Sequence, residues 1–272
     1  MRIHKVMIVF RKDWREIRRN WQVIMPVVVI PIIFAIFLPV VLGSGFNTSS
    51  ASGQHTNMTA FTKGLQPSVS QEIDGLPDNQ AVSYIMLLYF FAPFILIIPL
   101  MASSVISSDS FAGEKERKTT EALLATPLTD SELFLAKVLV AFIPAIIATV
   151  VSFIMYSVVV DAMFFPALGR LVLPNLNWVL LVFLLAPALA LIGIGISVIV
   201  SSRVKGFREA QQISGVLVLP VLLLLFAQMS GVLFLGPFVI TLLALVFFAI
   251  DAVIFRFGIK IFNREELLSK LG

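Results

Sequence analysis

Cysteine is absent from the 272 residues, and histidine occurs only as His4 and His55. That excludes disulfides, thiolate chemistry and cysteine-rich zinc or iron–sulfur sites. Charge is scarce too: 13% of residues are Asp, Glu, Lys or Arg, against 58% that are hydrophobic. Such a balance is far more apolar than that of a water-soluble domain, so lipid must act as part of the solvent. The chain also lacks a Gly-x-x-x-x-Gly-Lys-Ser/Thr phosphate loop and a His-Glu-x-x-His motif. With both histidines outside the apolar runs and no carboxylate pair within them, an intramembrane enzyme is disfavoured. The short alternating segments of an outer-membrane barrel are missing. The charged first twenty residues and the long run that follows them, without a small-residue cleavage signal, predict a retained anchor instead of a cleaved leader.

What is present is a series of helix-length apolar runs. A spanning helix needs about 20 such residues, because the hydrocarbon is about 30 Å thick and each helical residue rises about 1.5 Å. Runs of that kind lie near Val23 to Gly43, Val82 to Val105, Val138 to Val160, Trp178 to Val200, Ile213 to Leu235 and Phe238 to Phe257. The expected fold class is therefore an all-α integral membrane protein with six transmembrane helices. It divides into a cytoplasmic interface helix at 1–21, a six-span domain at 22–257 and a cytoplasmic tail at 258–272. Prolines such as Pro39, Pro93 and Pro187 fall inside the runs and predict kinks, with neighbours satisfying the freed carbonyls. All Lys and Arg except Lys63 and Arg170 fall on one face of this six-span arrangement, which predicts cytoplasmic termini. The basic excess is thus a topology signal, and no nucleic-acid partner is needed to explain it. The outer segment 44–81 is polar and too poor in apolar residues to build a core of its own.

Along the first segment, Ile3, Met7, Phe10, Trp14, Ile17 and Trp21 recur at spacings of four and three, while Arg11, Lys12, Arg15, Arg18 and Arg19 take other faces. This period predicts an amphipathic helix on the membrane surface, with Phe10 and Trp14 in the acyl boundary and Arg15 and Arg18 at anionic headgroups of membrane lipids.

The loop 109–137 is the most patterned stretch outside the apolar runs. Gly113 to Leu128 reads GEKERKTTEALLATPL, a mixed-charge run followed by a short apolar patch that Pro127 ends. Thr129 with Glu132 three residues on matches a capping box, which predicts the start of a new helix leading into the third span.

Gly113-Glu114-Lys115-Glu116-Arg117, followed by Thr120-Glu121-Ala122-Leu123-Leu124-Ala125-Thr126-Pro127-Leu128, resembles the acidic motif and apolar end of the first cytoplasmic loop in permease subunits of the type-2 ABC exporter family. The basic amphipathic start, Met1 to Asn20, and the six-span topology are similar to that family as well. The resemblance implies a short cytoplasmic coupling helix between spans two and three, with Glu114, Glu116, Arg117, Glu121, Leu123 and Leu124 coupling a separate ABC ATPase to the spans. It implies that ATP and magnesium are bound in that ATPase, present in two copies, and that this chain binds no cofactor or metal. It further implies a second permease chain, a homodimer before a heterodimer, in a prokaryotic plasma membrane. Many relatives insert a re-entrant outer segment between spans five and six; here Gly236-Pro237 is the clear break, with Gln228 to Gly231 the candidates for such a segment.

Asp251 falls inside the sixth run, where an ionised carboxylate costs at least about 2.5 kcal/mol at the bilayer centre. It is a candidate for the translocation path, the bland alternative being a pairing with Arg256 or another cation. Ser103, Ser107 and Gln228 are candidates for the same path, serines also being common where helices pack closely. The competing function, a stand-alone secondary transporter or lipid flippase, would ordinarily carry more intramembrane ionisable residues than Asp251.

Overall fold

The computed structural model describes residues 3–49, 76–119, 129–204, 206–230 and 233–261. Helices dominate and no strand occurs among the described residues. Among the described residues an N-terminal helix, α1 (Ile3–Arg19), precedes 6 helices long and apolar enough to cross a membrane. These are span 1 (Trp21–Gly43), span 2 (Gln80–Glu116), span 3 (Ser131–Leu168), span 4 (Leu176–Ser201), span 5 (Phe207–Gln228) and span 6 (Pro237–Arg256).

Spans 2, 3 and 4 form the centre, and their residues dominate the large buried cluster. Ser107 Oγ donates to the Ile194 carbonyl and Ser197 Oγ to the Ser104 carbonyl, so small residues let spans 2 and 4 approach closely.

The prolines explain the kinks. Within span 2 the helix widens to a π turn at Met86–Phe90, where Phe91 N–H donates to the Met86 carbonyl five residues back. Pro93 then has no N–H to give. The Tyr89 carbonyl, four residues back, is thereby freed, and it and the carbonyls of Leu87 and Leu88 each accept from a side chain on another helix. Tyr156 Oη reaches Leu87 at 2.6 Å, Trp178 Nε1 reaches Leu88 at 2.9 Å, and Gln228 Nε2 reaches Tyr89 at 2.7 Å. Tyr156 and Trp178 also stack, with ring centroids 4.7 Å apart. Similar π turns stand just ahead of Pro39 in span 1 and Pro187 in span 4.

Two spans run longer than the apolar pattern predicts. Span 2 continues through the π turn Asp109–Gly113 to Glu116, and span 3 belongs to a helix that opens at Asp130. At about 1.5 Å per residue each is longer than 50 Å, so their polar ends project beyond about 30 Å of hydrocarbon. Span 3 begins as its sequence predicts. Thr129 Oγ1 accepts from Glu132 N–H, and Glu132 Oε2 accepts from Thr129 N–H, completing the capping box.

Span 5 departs from expectation at both ends. Its helix opens at Phe207 instead of Ile213 and its last α-helical stretch closes at Met229 instead of Leu235. The polar start is tolerated because it lies at the charged end of the bundle. At the far end residues 233–236 are non-helical, Phe234 packs against Tyr89 with centroids 5.3 Å apart, and Pro237 opens span 6, where a missing N–H costs nothing.

Candidate functional site

Helix α1, the end of span 2, the start of span 3 and the link between spans 4 and 5 meet at one end of the bundle, around Glu114 to Arg117. α1 arrives there through its own pattern. Val6, Val9, Asp13 and Ile17 form its buried stripe, and Val6, Val9 and Ile17 share an apolar cluster with Leu133, Phe134 and Ala136 of span 3. The stripe read from the sequence lies beside this one: Phe10 and Trp14 stack at 6.5 Å and are half-buried, while Trp21 is 71% exposed. α1 therefore presents one apolar face to the protein and a neighbouring aromatic face outward. Arg15 and Arg18 are exposed on its remaining surface.

From that buried stripe Asp13 and its neighbours Lys12 and Glu16 meet Glu114. Lys12 Nζ lies 3.0 Å from Glu114 Oε1, 3.0 Å from Asp13 Oδ1 and 3.5 Å from Glu16 Oε2. The carboxylates of Asp13, Glu16 and Glu114 bring ligand atoms within 4.8 Å of one another, as a cation site would. The ammonium of Lys12 already supplies that cation. Lys137, which is 2% exposed, reaches the second oxygen of Glu114 at 2.5 Å and donates to the Ser110 carbonyl, its charge standing over the Phe111 ring.

The next residues each bind a different element. Lys115 Nζ donates to the Val204 carbonyl at 3.1 Å, just past span 4. Glu116 Oε2 accepts from the Phe207 N–H at 2.9 Å, at the first residue of span 5. Arg117 Nη1 donates to Asp109 Oδ1 at 3.0 Å, and Asn20, which caps span 1, donates to the same oxygen at 3.2 Å. The helix then stops. Thr119 N–H donates to the Glu114 carbonyl and Lys118 N–H to the Lys115 carbonyl, with Lys118 left-handed at φ 55, the hydrogen bonds of a Schellman C-cap.

Burial raises the pKa of the Asp13 carboxyl; Lys137 and Lys12 oppose the rise and Glu114 adds to it. Burial by itself would lower the Lys12 ammonium, yet Asp13 and Glu114 hold it above its ordinary value. A carboxyl whose pKa is raised on folding contributes fully below its ordinary value of about 3.9 and loses that contribution as pH rises through the raised value. Lys12, also raised, loses its contribution only above about 10.4. The expected outcome is a melting-temperature profile in lipid nanodiscs that runs more steeply downward from pH about 4 toward neutrality in the unaltered chain than in Asp13→Asn, the lowered Glu114 carboxyl contributing the opposite slope in both. Identical slopes would show that Asp13 titrates no differently in the folded chain.

Of the residues singled out from sequence, Glu114, Glu116 and Arg117 are brought together here, whereas Glu121, Leu123 and Leu124, with the coupling helix expected there, lie outside the described residues. Ser103 and Ser107 are buried in the seam between spans 2 and 4, Ser103 Oγ donating to the Leu100 carbonyl. Gln228 serves the carbonyl that Pro93 frees. Asp251 is 3% exposed, neither carboxylate oxygen has a partner among the described residues, and the pairing with Arg256 is not formed. Lys12, Asp13, Asp109, Lys115 and Lys137 were not singled out by the sequence reading as site residues. Lys137 carried a signal, being a lone cation in the apolar run Leu133 to Val140, where a charge needs a partner.

The family model described as ABC-2 family transporter protein matches residues 7–241. No curated protein matches the chain.

Proposed function

Because the chain belongs to the ABC-2 family of transporter proteins, a permease family of multi-pass membrane proteins, we propose that it is the transmembrane half-unit of an exporter driven by a separate ATPase. In this reading two permease chains, a homodimer in the simplest case, join two ATPase subunits that hold ATP and magnesium. The termini and the cluster around Glu114 face the cytoplasm across the cell membrane, as the placement of Lys and Arg favours.

The observation that carries the proposal is the arrangement of Glu114 to Arg117. Their side chains tie α1, the link between spans 4 and 5, and span 3 to the end of span 2. That junction stands directly ahead of 120–128, where the family's coupling segment falls, so a push on the segment would reach several spans at once. Glu121, Leu123 and Leu124 are assigned to the ATPase contact itself. Glu114 is 2% exposed and acts as an internal tie.

The test is purification of the tagged chain from its native membrane, with ATPase assay of what accompanies it. An ATPase bearing a phosphate loop is expected to co-purify, and Glu121→Ala is expected to lose either that partner or transport-coupled hydrolysis. A chain that purifies without a nucleotide-binding partner would overturn the proposal. One observation favours the second reading, a secondary transporter or flippase: the unpartnered buried carboxylate of Asp251 in span 6 is the kind of group that ion coupling uses. Of the four candidates for the translocation path, Asp251 is the one proposed to serve it, since its carboxylate makes no structural contact among the described residues, whereas Ser103, Ser107 and Gln228 bond to helix carbonyls.

A further inference from the structure

Helix N-termini expose amide groups that an N-cap side chain, usually Ser, Thr, Asp or Asn, ordinarily accepts. Span 5 has no such residue. Its N-cap is Gly206, in extended conformation and without a side-chain hydrogen bond. The missing acceptor comes from 91 positions earlier in the chain, where Glu116 Oε2 takes the Phe207 N–H at 2.9 Å. A negative carboxylate there is favoured by the helix dipole as well. Gly206 is the residue that admits it, since a Cβ at that position would lie 2.6 Å from Glu116 Oε2. Adjacent Lys115 grips the Val204 carbonyl on the other side of the same link.

Span 5 is otherwise loosely held. Only 22% of its apolar window is buried inside the structure, as in span 1 and close to the 17% of span 6, against 72% for span 2 and 61% for span 4. Its polar attachments to the bundle include Glu116 at the start, Ser214 against Ser197 at 3.2 Å, and Gln228 on the Tyr89 carbonyl of span 2. What sets span 5 apart from the other peripheral spans is the charged handle at its first residue, through which a displacement can be passed to it.

We infer that Glu116 is a positioning residue that hands displacement of the 114–119 segment to span 5, making span 5 the helix that follows the ATPase. This rests on the permease reading above. The cap is the coupling element because it joins two parts of the chain that no backbone joins nearby.

The absence of cysteine allows spin labels to be placed without a background mutant. In the complex with its ATPase in nanodiscs, one label pair at Lys118 and Arg208 reports the segment against span 5, and a second at Phe183 and Arg208 reports span 5 against span 4; all of these residues are exposed. Distances are compared between the nucleotide-free and ATP–vanadate states. For the unaltered Glu116, the first distance is expected to stay constant and the second to change. In Glu116→Ala the first is expected to vary with nucleotide and the second to lose its change, while Glu116→Gln, which keeps an acceptor oxygen, retains the original behaviour.

The decisive variant is Glu116→Ala with Gly206→Ser, in which span 5 gains a cap from its own link but loses the connection. A merely structural cap would be restored by this pair, and a recovered nucleotide-dependent change at Phe183 and Arg208 would overturn the inference. Continued loss of that change upholds it. Absence of a co-purifying ATPase overturns the permease reading and the inference with it, whereas a retained ATPase with unchanged distances in Glu116→Ala overturns the inference alone.

Discussion

Lys137→Met is expected to destabilise the folded chain by about 3–5 kcal/mol, because it strips a buried carboxylate of its nearest cation. Glu114 and Lys137 are each 2% exposed, and Lys137 also serves the Ser110 carbonyl. Methionine preserves the length and most of the packing of the lysine stem, so the loss reads the charge and its hydrogen bonds instead of a cavity. Lys12 still stands 3.0 Å from Glu114, which places the result toward the lower end of that range. Lys12 is itself 38% exposed at its side chain, and exposed pairs contribute little, so Lys12→Met is expected to be the milder change. The check is heat unfolding followed by circular dichroism for Lys137→Met, Glu114→Gln and the two combined. Neutralising Glu114 removes the orphaned charge, so the double variant should recover a large part of the Lys137→Met loss. Strictly additive losses would mean that the two side chains do not stabilise the fold through each other.

How much of this was legible depended on whether a signal was local. The six runs were visible because membrane-spanning length is written in one dimension, and the Thr129 and Glu132 box because its partners are three residues apart. The extension of span 2 through Ser107, Ser108, Asp109 and Ser110 was hidden, since that polar stretch reads as the beginning of a loop. It stays helical because three of these four side chains find partners: Asn20 and Arg117 for Asp109, Lys137 for Ser110, and Ile194 for Ser107. The early start of span 5 was hidden for the same reason, its cap lying on Glu116. On α1 the periodic aromatic stripe was legible, but Val6, Val9 and Asp13 acquired meaning only with span 3 beside them. The motif 114–117 was singled out through resemblance; the division of labour among its side chains is a product of packing.

Gly193→Val is expected to cost about 3 kcal/mol, the upper part of the usual range for overpacking. A Cβ at Gly193 would stand 2.5 Å from Ser103 Oγ and 3.1 Å from the Leu100 carbonyl of span 2. The hydroxyl can be removed or turned; the carbonyl belongs to backbone in the central helix and can yield only if the helices separate. Valine adds two methyl groups to that collision and stiffens χ1, so neither rotamer relief nor small shifts suffice. Alanine separates the two contacts. Gly193→Ala gains about 1 kcal/mol in helix propensity, which partly offsets its clash. Adding Ser103→Ala deletes the nearer contact, loses only a hydroxyl bond to its own helix, and leaves a tight approach to the carbonyl. The pair is therefore expected to be more stable than Gly193→Ala alone, a coupling that heat unfolding of the four combinations measures. If Ser103 instead faced an open translocation path, its removal would leave the Gly193→Ala loss untouched, and the assignment of this seam to helix packing would fall.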